Sequence, residues 1–599
     1  MKKLKLAPVF LMLLFFMNTN TGKAAGAVKI AYTVTFPEAQ AHYADIEMDI
    51  SGLQQNSLDL KMPVWTPGSY LVREFSKNVE SFSVSSNGKI LPTLKTRKNC
   101  WHINTTGLSS VMVKYRVYCF EISVRTSFID ASHAFLSTTG VFIYPDKMLH
   151  HPSTIHIVPY NGWTKVSTSL DMVNNDTFTR QAPNFDILFD SPIEVGNQDV
   201  FGFDAAGVKY EVCMVGGGNY DKERLKTDMA KIVEQETAVY GENPNKHYVF
   251  IVHNYLHGGG GLEHLSSTTL GASRDNYTNE NGYRSFLTLV AHEHFHLWNV
   301  KRLRPIALGP FDYDNENYTT DLWIAEGFTN YYQNLILRHA SLMPVENYLN
   351  TVANEINIIE NQPGTKIQSL AESSYDAWIK AYRPNENSIN TTISYYNKGG
   401  LAGMLLDLEI IKSSNGKYSL DDVMRYMYNT YYKTKKRGYT DTEFKQGFEK
   451  FAGKNLDDFY NKYIYGLTPM DYNQYLGYAG YKITDELAAA NDPSLGLGIS
   501  NNNGKKVVTA VLRGSPAWID GINVNDELTA IDGSPLTDVA TMLNGKKPGD
   551  KISVSILRDG LPITLPVTLL RNPRVNYKVE PIANPTPQQL AVQKKWLGL

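Results

Sequence analysis

Cysteine is scarce in this chain: only Cys100, Cys119 and Cys213 occur among 599 residues. Three thiols close at most one internal disulfide, which excludes a covalent framework and leaves hydrophobic cores to hold the fold, with free buried thiols as the simplest state. An excess of either charge is also missing, since 58 Lys and Arg stand against 60 Asp and Glu for a formal net charge of −2. That balance excludes the basic footprint of a nucleic-acid-binding protein. No apolar stretch reaches the ~20 residues that a membrane-spanning helix needs. The most apolar run, Leu6 to Met17, follows Lys2, Lys3 and Lys5 and precedes the small residues Ala24 to Ala27. This layout predicts a cleaved signal peptide over residues 1–27, a secreted or periplasmic protein, and no integral membrane segment after cleavage. Internal repeats are absent.

What the chain does have is core-forming material, 42% hydrophobic and 12% aromatic residues, over a length that suits roughly three or four domains of about 100–200 residues. From Val28 to about Gly202, short runs alternate apolar and polar residues between turns such as Asn87-Gly88 and Asn161-Gly162, the pattern of an all-β domain, assigned to residues 28–205. A mixed and then helical region follows at 206–475. Apolar residues three and four apart place helices at Asp221 to Tyr240, Tyr283 to Asn299, Asp321 to His339, Val345 to Gln362, Tyr396 to Ser413, Leu420 to Tyr431 and Asp441 to Phe451. Short strands between Gly and Pro turns return at 476–572. The remainder, 573–599, carries Pro581, Pro585 and Pro587 and reads as a loosely attached tail. The fold class is therefore multidomain α+β.

Chemistry concentrates in Ala291-His292-Glu293-His294-Phe295-His296, an HExxH motif on an apolar helix. Four residues is about one helical turn, so His292 and His296 share a face and can hold one Zn²⁺, with Glu293 beside it. His294 points elsewhere and reads as a core histidine. A catalytic zinc takes a third protein ligand, for which Glu326 in Trp323-Ile324-Ala325-Glu326-Gly327 is the candidate, on a second apolar helix. Such a site hydrolyses peptide or amide bonds with Glu293 as general base. Tyr396 offers a phenol to an oxyanion. In His257-Gly258-Gly259-Gly260-Gly261-Leu262-Glu263-His264 the glycines, Gly260 and Gly261 among them, allow close approach of an extended substrate. Glu263 there offers a carboxylate to a free α-amino group.

Four segments, HEHFHLWN at 292–299, WIAEGFTNYY at 323–332, GGGGLEH at 258–264 and WTPGSYLVRE at 65–74, resemble the glycyl aminopeptidase family of zinc metallopeptidases. The resemblance implies a thermolysin-like catalytic domain. It assigns His292, His296 and Glu326 as ligands of one catalytic zinc ion, Glu293 as base, Glu263 as amino anchor and Tyr396 as oxyanion stabiliser, and it implies preference for N-terminal Gly or Ala. Two departures stand out. The step from His296 to Glu326 is longer than in alanyl-type aminopeptidases, implying an inserted loop over the site, and Leu262 and His264 replace their Met and Asn. WTPGSYLVRE by itself reads first as a Trp-Pro-Gly turn with Arg73 fixing the β domain, and second as a border of the substrate cleft.

The segment Leu495-Gly496-Leu497-Gly498-Ile499, followed by Gly514-Ser515-Pro516-Ala517 and Ile531-Asp532-Gly533, resembles a PDZ domain. Amides of Leu497, Gly498 and Ile499 would then hold a C-terminal carboxylate, unless the groove is blocked against the catalytic lobe. The leading expectation is a secreted zinc aminopeptidase acting on peptides with free N-termini. The alternatives are a thermolysin-like endopeptidase, which needs no amino anchor, and a non-catalytic PDZ scaffold.

Overall fold

A computed structural model describes residues 27–599, and the signal-peptide reading falls outside the described residues. The N-terminal domain is built on an eight-stranded sheet flanked by two four-stranded ones. Alternation in the sequence becomes a buried face. Ile30, Tyr32 and Val34 stand opposite Ile50, Met48 and Ile46, which in turn stand opposite Val111, Val113 and Tyr115. All nine are core residues, so a one-residue slip would turn the whole row to solvent. Cys100, Cys119 and Cys213 are buried and unpaired.

The catalytic lobe opens with a five-stranded sheet ordered Asp199–Ala205, Val208–Val215, His247–Tyr255, Ser267–Ser273, Gly261–Glu263. The expected boundary after residue 205 is corrected by this pairing. It falls in the turn of the hairpin joining the first two strands, so the sheet of the catalytic lobe already begins at Asp199. Helices Lys222–Tyr240, Glu280–Phe295, Phe328–His339, Val345–Glu360 and Asn397–Ser413 pack on the sheet and on one another in one continuous core. Among the described residues no helix is long and apolar enough to cross a membrane.

The C-terminal end differs from the expected loose tail. Strand Tyr577–Pro581 pairs antiparallel with Tyr481–Asp485, and helix Pro587–Leu597 places Trp596 and Leu597, 1% and 0% exposed, in the catalytic core. Indole Nε1 of Trp596 donates to Tyr331 Oη at 3.1 Å, and Arg338 Nε donates to the Leu597 carbonyl at 3.2 Å. Prolines misled the reading. Pro587 occupies the first turn of a helix, where a missing N–H costs nothing, behind a Thr586–Gln589 capping box. The PDZ sheet, with a core of its own, is thereby inserted into the catalytic lobe rather than appended after it. Strand Tyr481–Asp485, expected in the PDZ region, belongs to this stalk.

Domain contacts also explain the long step from His296 to Glu326. Part of the intervening segment runs to the N-terminal domain. Asp314 pairs with Lys61 at 2.7 Å, the Asp312 carbonyl accepts from Trp65 Nε1 at 2.7 Å, and Tyr313 Oη donates to Asp186 at 2.7 Å. A second polar knot crosses the same junction: buried Glu194 binds His133 Nδ1 at 2.7 Å and His253 Nε2 at 2.9 Å.

Candidate active site

Asn279 caps helix Glu280–Phe295 through bonds to the amides of Asn281 and Gly282, and the helix delivers His292 in its last turn and His296 at its C-terminal cap. Their ring centroids lie 4.8 Å apart. Glu326 sits in a π-helical turn, Trp323–Gly327, that leads into helix Phe328–His339. Such widened turns recur at functional sites because they re-aim one side chain. Here the turn carries Glu326 Oε2 to 3.2 Å from His296 Nε2 and 3.6 Å from His292 Nε2.

The other ring nitrogens are already engaged. His292 Nδ1 donates to Gln333 Oε1 at 2.8 Å and His296 Nδ1 to the Asn299 carbonyl at 2.7 Å, which leaves both Nε2 lone pairs facing Glu326. Asn299 also binds the carbonyls of Ile324 and Ala325 through Nδ2 at 2.9 and 3.0 Å, so the residue that orients His296 also fixes the Glu326 turn. Two imidazole nitrogens and one carboxylate within 4.8 Å of one another, oriented from behind, fit a zinc ion. By contrast His294 is wholly buried, with Nδ1 on Glu236 Oε2 at 2.5 Å and Nε2 3.1 Å from Tyr210 Oη. Burial drives its pKa down to about 3. It is a neutral core histidine.

Two further carboxylates face the same space. Glu263 and Glu293 each bring an oxygen to within 4.8 Å of His296, and each keeps one buried oxygen without a protein partner, Oε1 of Glu263 and Oε2 of Glu293. Burial, opposed by His292 and His296 and reinforced by Glu263 and Glu326, pushes the Glu293 carboxyl up to about 7. Burial would raise Glu326 as well, but His296 and His292 hold it down to about 2. Glu263 ends strand Gly261–Glu263, and Gly261 is needed there, because a Cβ would lie 2.3 Å from Glu293 Oε1. Gly260 precedes it with φ +80. The Tyr396 ring lies 6.1 Å from that of His292, and burial raises the phenol pKa well above its usual value.

Several site residues escaped the sequence reading. Gly68, with φ +90, lies so close to Glu263 that a Cβ would sit 2.4 Å from Oε1. The WTPGSYLVRE segment therefore borders the site from the N-terminal domain. Gln333 lies one turn beyond WIAEGF with no motif of its own. Arg125 donates through Nη2 to the Gly261 carbonyl at 3.0 Å, across 136 residues of sequence. In the PDZ domain, Leu497, Gly498 and Ile499 begin the outer strand Leu497–Asn502, which pairs on one side with Lys505–Val511. Asn390 of the catalytic lobe ties that domain down, bonding the Val511 carbonyl and the Arg513 amide at 2.8 Å each.

Residues 31–197 match the M61 peptidase N-terminal domain, residues 285–402 the M61 glycyl aminopeptidase family, and residues 493–569 a PDZ domain. A crystal structure of an aminopeptidase N family protein from Idiomarina loihiensis superposes with a TM-score of 0.88 at 28% identity, covering 95% of this chain and 100% of that one. An M1 zinc metallopeptidase from Deinococcus radiodurans is more distant, with a TM-score of 0.44 at 14% identity over 71% of this chain and 90% of its own. No curated protein sequence matches significantly. Residues 31–197 and 285–402 are thus similar to M61 glycyl aminopeptidases and residues 493–569 to a PDZ domain, and the chain is a zinc metalloaminopeptidase.

Proposed function

We propose that this aminopeptidase releases single small residues, Gly or Ala, from the free N-termini of peptides, with one zinc ion held by His292, His296 and Glu326. The observation that carries this reading is the crowding around Glu263. Its carboxylate is buried with a free oxygen, Gly68 is pressed onto it, and Tyr70 packs beside it against Trp378 and Tyr382. An ammonium group suits that carboxylate, and little room is left for a large first side chain.

Zinc, when bound, supplies a Lewis acid that polarises the scissile carbonyl and acidifies water. Glu293, buried beside the site with one oxygen free of protein partners, accepts a proton from the attacking water and passes it to the amine nitrogen as the C–N bond breaks. Tyr396 is kept protonated by burial and donates to the developing oxyanion. Glu263 fixes the α-ammonium, so the bond presented is always the first. Export from the cytoplasm with loss of residues 1–27 is part of the proposal, and mass measurement of the mature N-terminus from a secreting host tests it.

Peptides beginning with Gly, Ala and Leu, each free and N-acetylated, decide the activity. Release of one residue from free Gly and Ala peptides, with kcat lowered about 10²–10⁴-fold in Glu293→Gln at unchanged zinc content, is the expected result. Internal cuts in acetylated peptides would make the enzyme an endopeptidase. Equal silence of the wild type and Glu293→Gln would favour a PDZ scaffold.

A further inference from the structure

Beside Tyr396 a cleft of about 590 Å³ opens between the N-terminal domain and the catalytic lobe. Its walls include Arg73, Arg125 and Lys380 but no Asp or Glu, in a chain whose charges otherwise balance. Lys380 is occupied by Asp376 at 2.7 Å. The two arginines are not so matched. Arg73 gives Nη2 to Ser69 Oγ at 2.9 Å, Arg125 gives Nη2 to the Gly261 carbonyl, and both keep a buried Nε–H without a partner. Neither forms an ion pair among the described residues. Burial and the charge of Arg125 lower the pKa of Arg73 against an opposing pull from Glu121, while, against burial, Tyr382, Tyr396, Glu293 and Glu263 raise that of Arg125, none of them as an ion-paired partner. Buried guanidinium groups normally find carboxylates, which they bind in a fork, so donors left over in a cleft point to an anionic ligand.

Position says which anion. Glu263 and Gly261 are two residues apart on one strand, about 6–7 Å at a strand's rise. Glu293 adjoins Gly261, and Arg125 holds the Gly261 carbonyl from the far side. A peptide whose ammonium rests on Glu263 and whose first carbonyl faces Glu293 therefore runs toward Arg125 and into the cleft. A peptide advances at most about 3.3–3.6 Å per residue, so two or three residues cover the distance.

We propose that Arg73 and Arg125 form a carboxylate subsite that receives the free C-terminus of di- and tripeptide substrates. It rests on the aminopeptidase reading and deepens it: the enzyme measures short peptides from both ends. An acidic side chain directly after the scissile bond offers the same chemistry from a second source.

The test compares full-length wild type with Arg73→Gln, Arg125→Gln and Arg125→Lys on Gly-Ala-Ala, its C-terminal amide, and Gly-Asp-Ala amide. Expected is a kcat/KM for the acid about 10–100-fold above that for the amide, carried by KM, as suits bonds to a charged group. In both Gln variants the acid-to-amide ratio falls toward one, and Arg125→Lys restores part of it. Recovery by Gly-Asp-Ala amide alone would transfer the site to an acidic side chain and overturn the C-terminal assignment. Equal turnover of acid and amide by the wild type, or variants that lower both alike, would overturn the subsite. Calorimetric binding of the same peptides to Glu293→Gln asks the question without turnover. Tighter binding of the acid there sustains the subsite even if no peptide is cleaved, and equal binding removes it.

Discussion

Glu263 has its surroundings shaped by the absence of a single side chain. Gly68 occupies a left-handed conformation and has room for no Cβ, because the Glu263 carboxylate fills that volume. Gly68→Ala is therefore expected to displace Glu263, raising KM for free-amino peptides about tenfold or more and eroding discrimination against N-acetylated ones, while zinc content stays at the wild-type level. Steady-state kinetics on the paired peptides, with metal analysis, checks this. The dependence of Glu263 on Gly68 could not be read from sequence, since residues 68 and 263 meet only when two domains close on each other. The closeness of His292 and His296 was legible because their relation depends on helix geometry alone. Glu326 needed the family resemblance to stand out from other helical glutamates. Arg125 and Gln333 carry no local signal at all.

Helix packing positions Glu326, the proposed third ligand. The turn bearing Glu326 crosses helix Asn397–Ser413 at a contact of backbone against backbone. A Cβ on Gly399 would lie 2.8 Å from the Trp323 carbonyl and 3.0 Å from Gly327 Cα. Gly399→Ala is expected to force the helices apart, costing about 1–3 kcal/mol of stability and accelerating zinc loss to a chelator, both measurable on purified protein. Lower on the same helix, Asp407 accepts from Tyr331 Oη at 2.5 Å and the Leu420 amide at 2.8 Å. Burial, followed by the charge of Asp421, pushes its carboxyl up to about 7, against about 3.9 in an unfolded chain. Across that window the folded state holds a proton that the unfolded chain has lost. Its stabilising contribution is complete below about pH 4 and is lost as pH rises through about 7. Asp407→Asn is expected to remove a stability difference on the order of a few kcal/mol between pH 4.5 and 7.5, as read by denaturant titration at the two pH values. The helices themselves were legible from spacing: those expected at Asp221 to Tyr240 and Tyr396 to Ser413 form as Lys222–Tyr240 and Asn397–Ser413. The π turn at Trp323–Gly327 was not, because its widening answers to contacts outside its own sequence.

For the whole molecule, the governing feature is the stalk of Tyr481–Asp485 paired with Tyr577–Pro581. Asp485 stands directly opposite Tyr577, so the PDZ domain leaves and re-enters the catalytic lobe at one point. Replacing residues 486–576 with a short hairpin turn is expected to preserve the melting temperature of the remaining protein within a few degrees. Ending the chain at residue 485 is expected to unfold the catalytic lobe by removing Trp596 and Leu597 from its core, a loss of at least about 3–5 kcal/mol for the Trp alone. Thermal unfolding followed by circular dichroism separates the two outcomes. The stalk also sets the order of events during synthesis. Chains fold as they emerge, N-terminal domain first, yet here the lobe bearing His292, Glu293 and Glu326 waits for Trp596, which is translated 270 residues after Glu326. A peptidase built this way cannot complete its catalytic core until the whole PDZ domain has been synthesised behind the site residues.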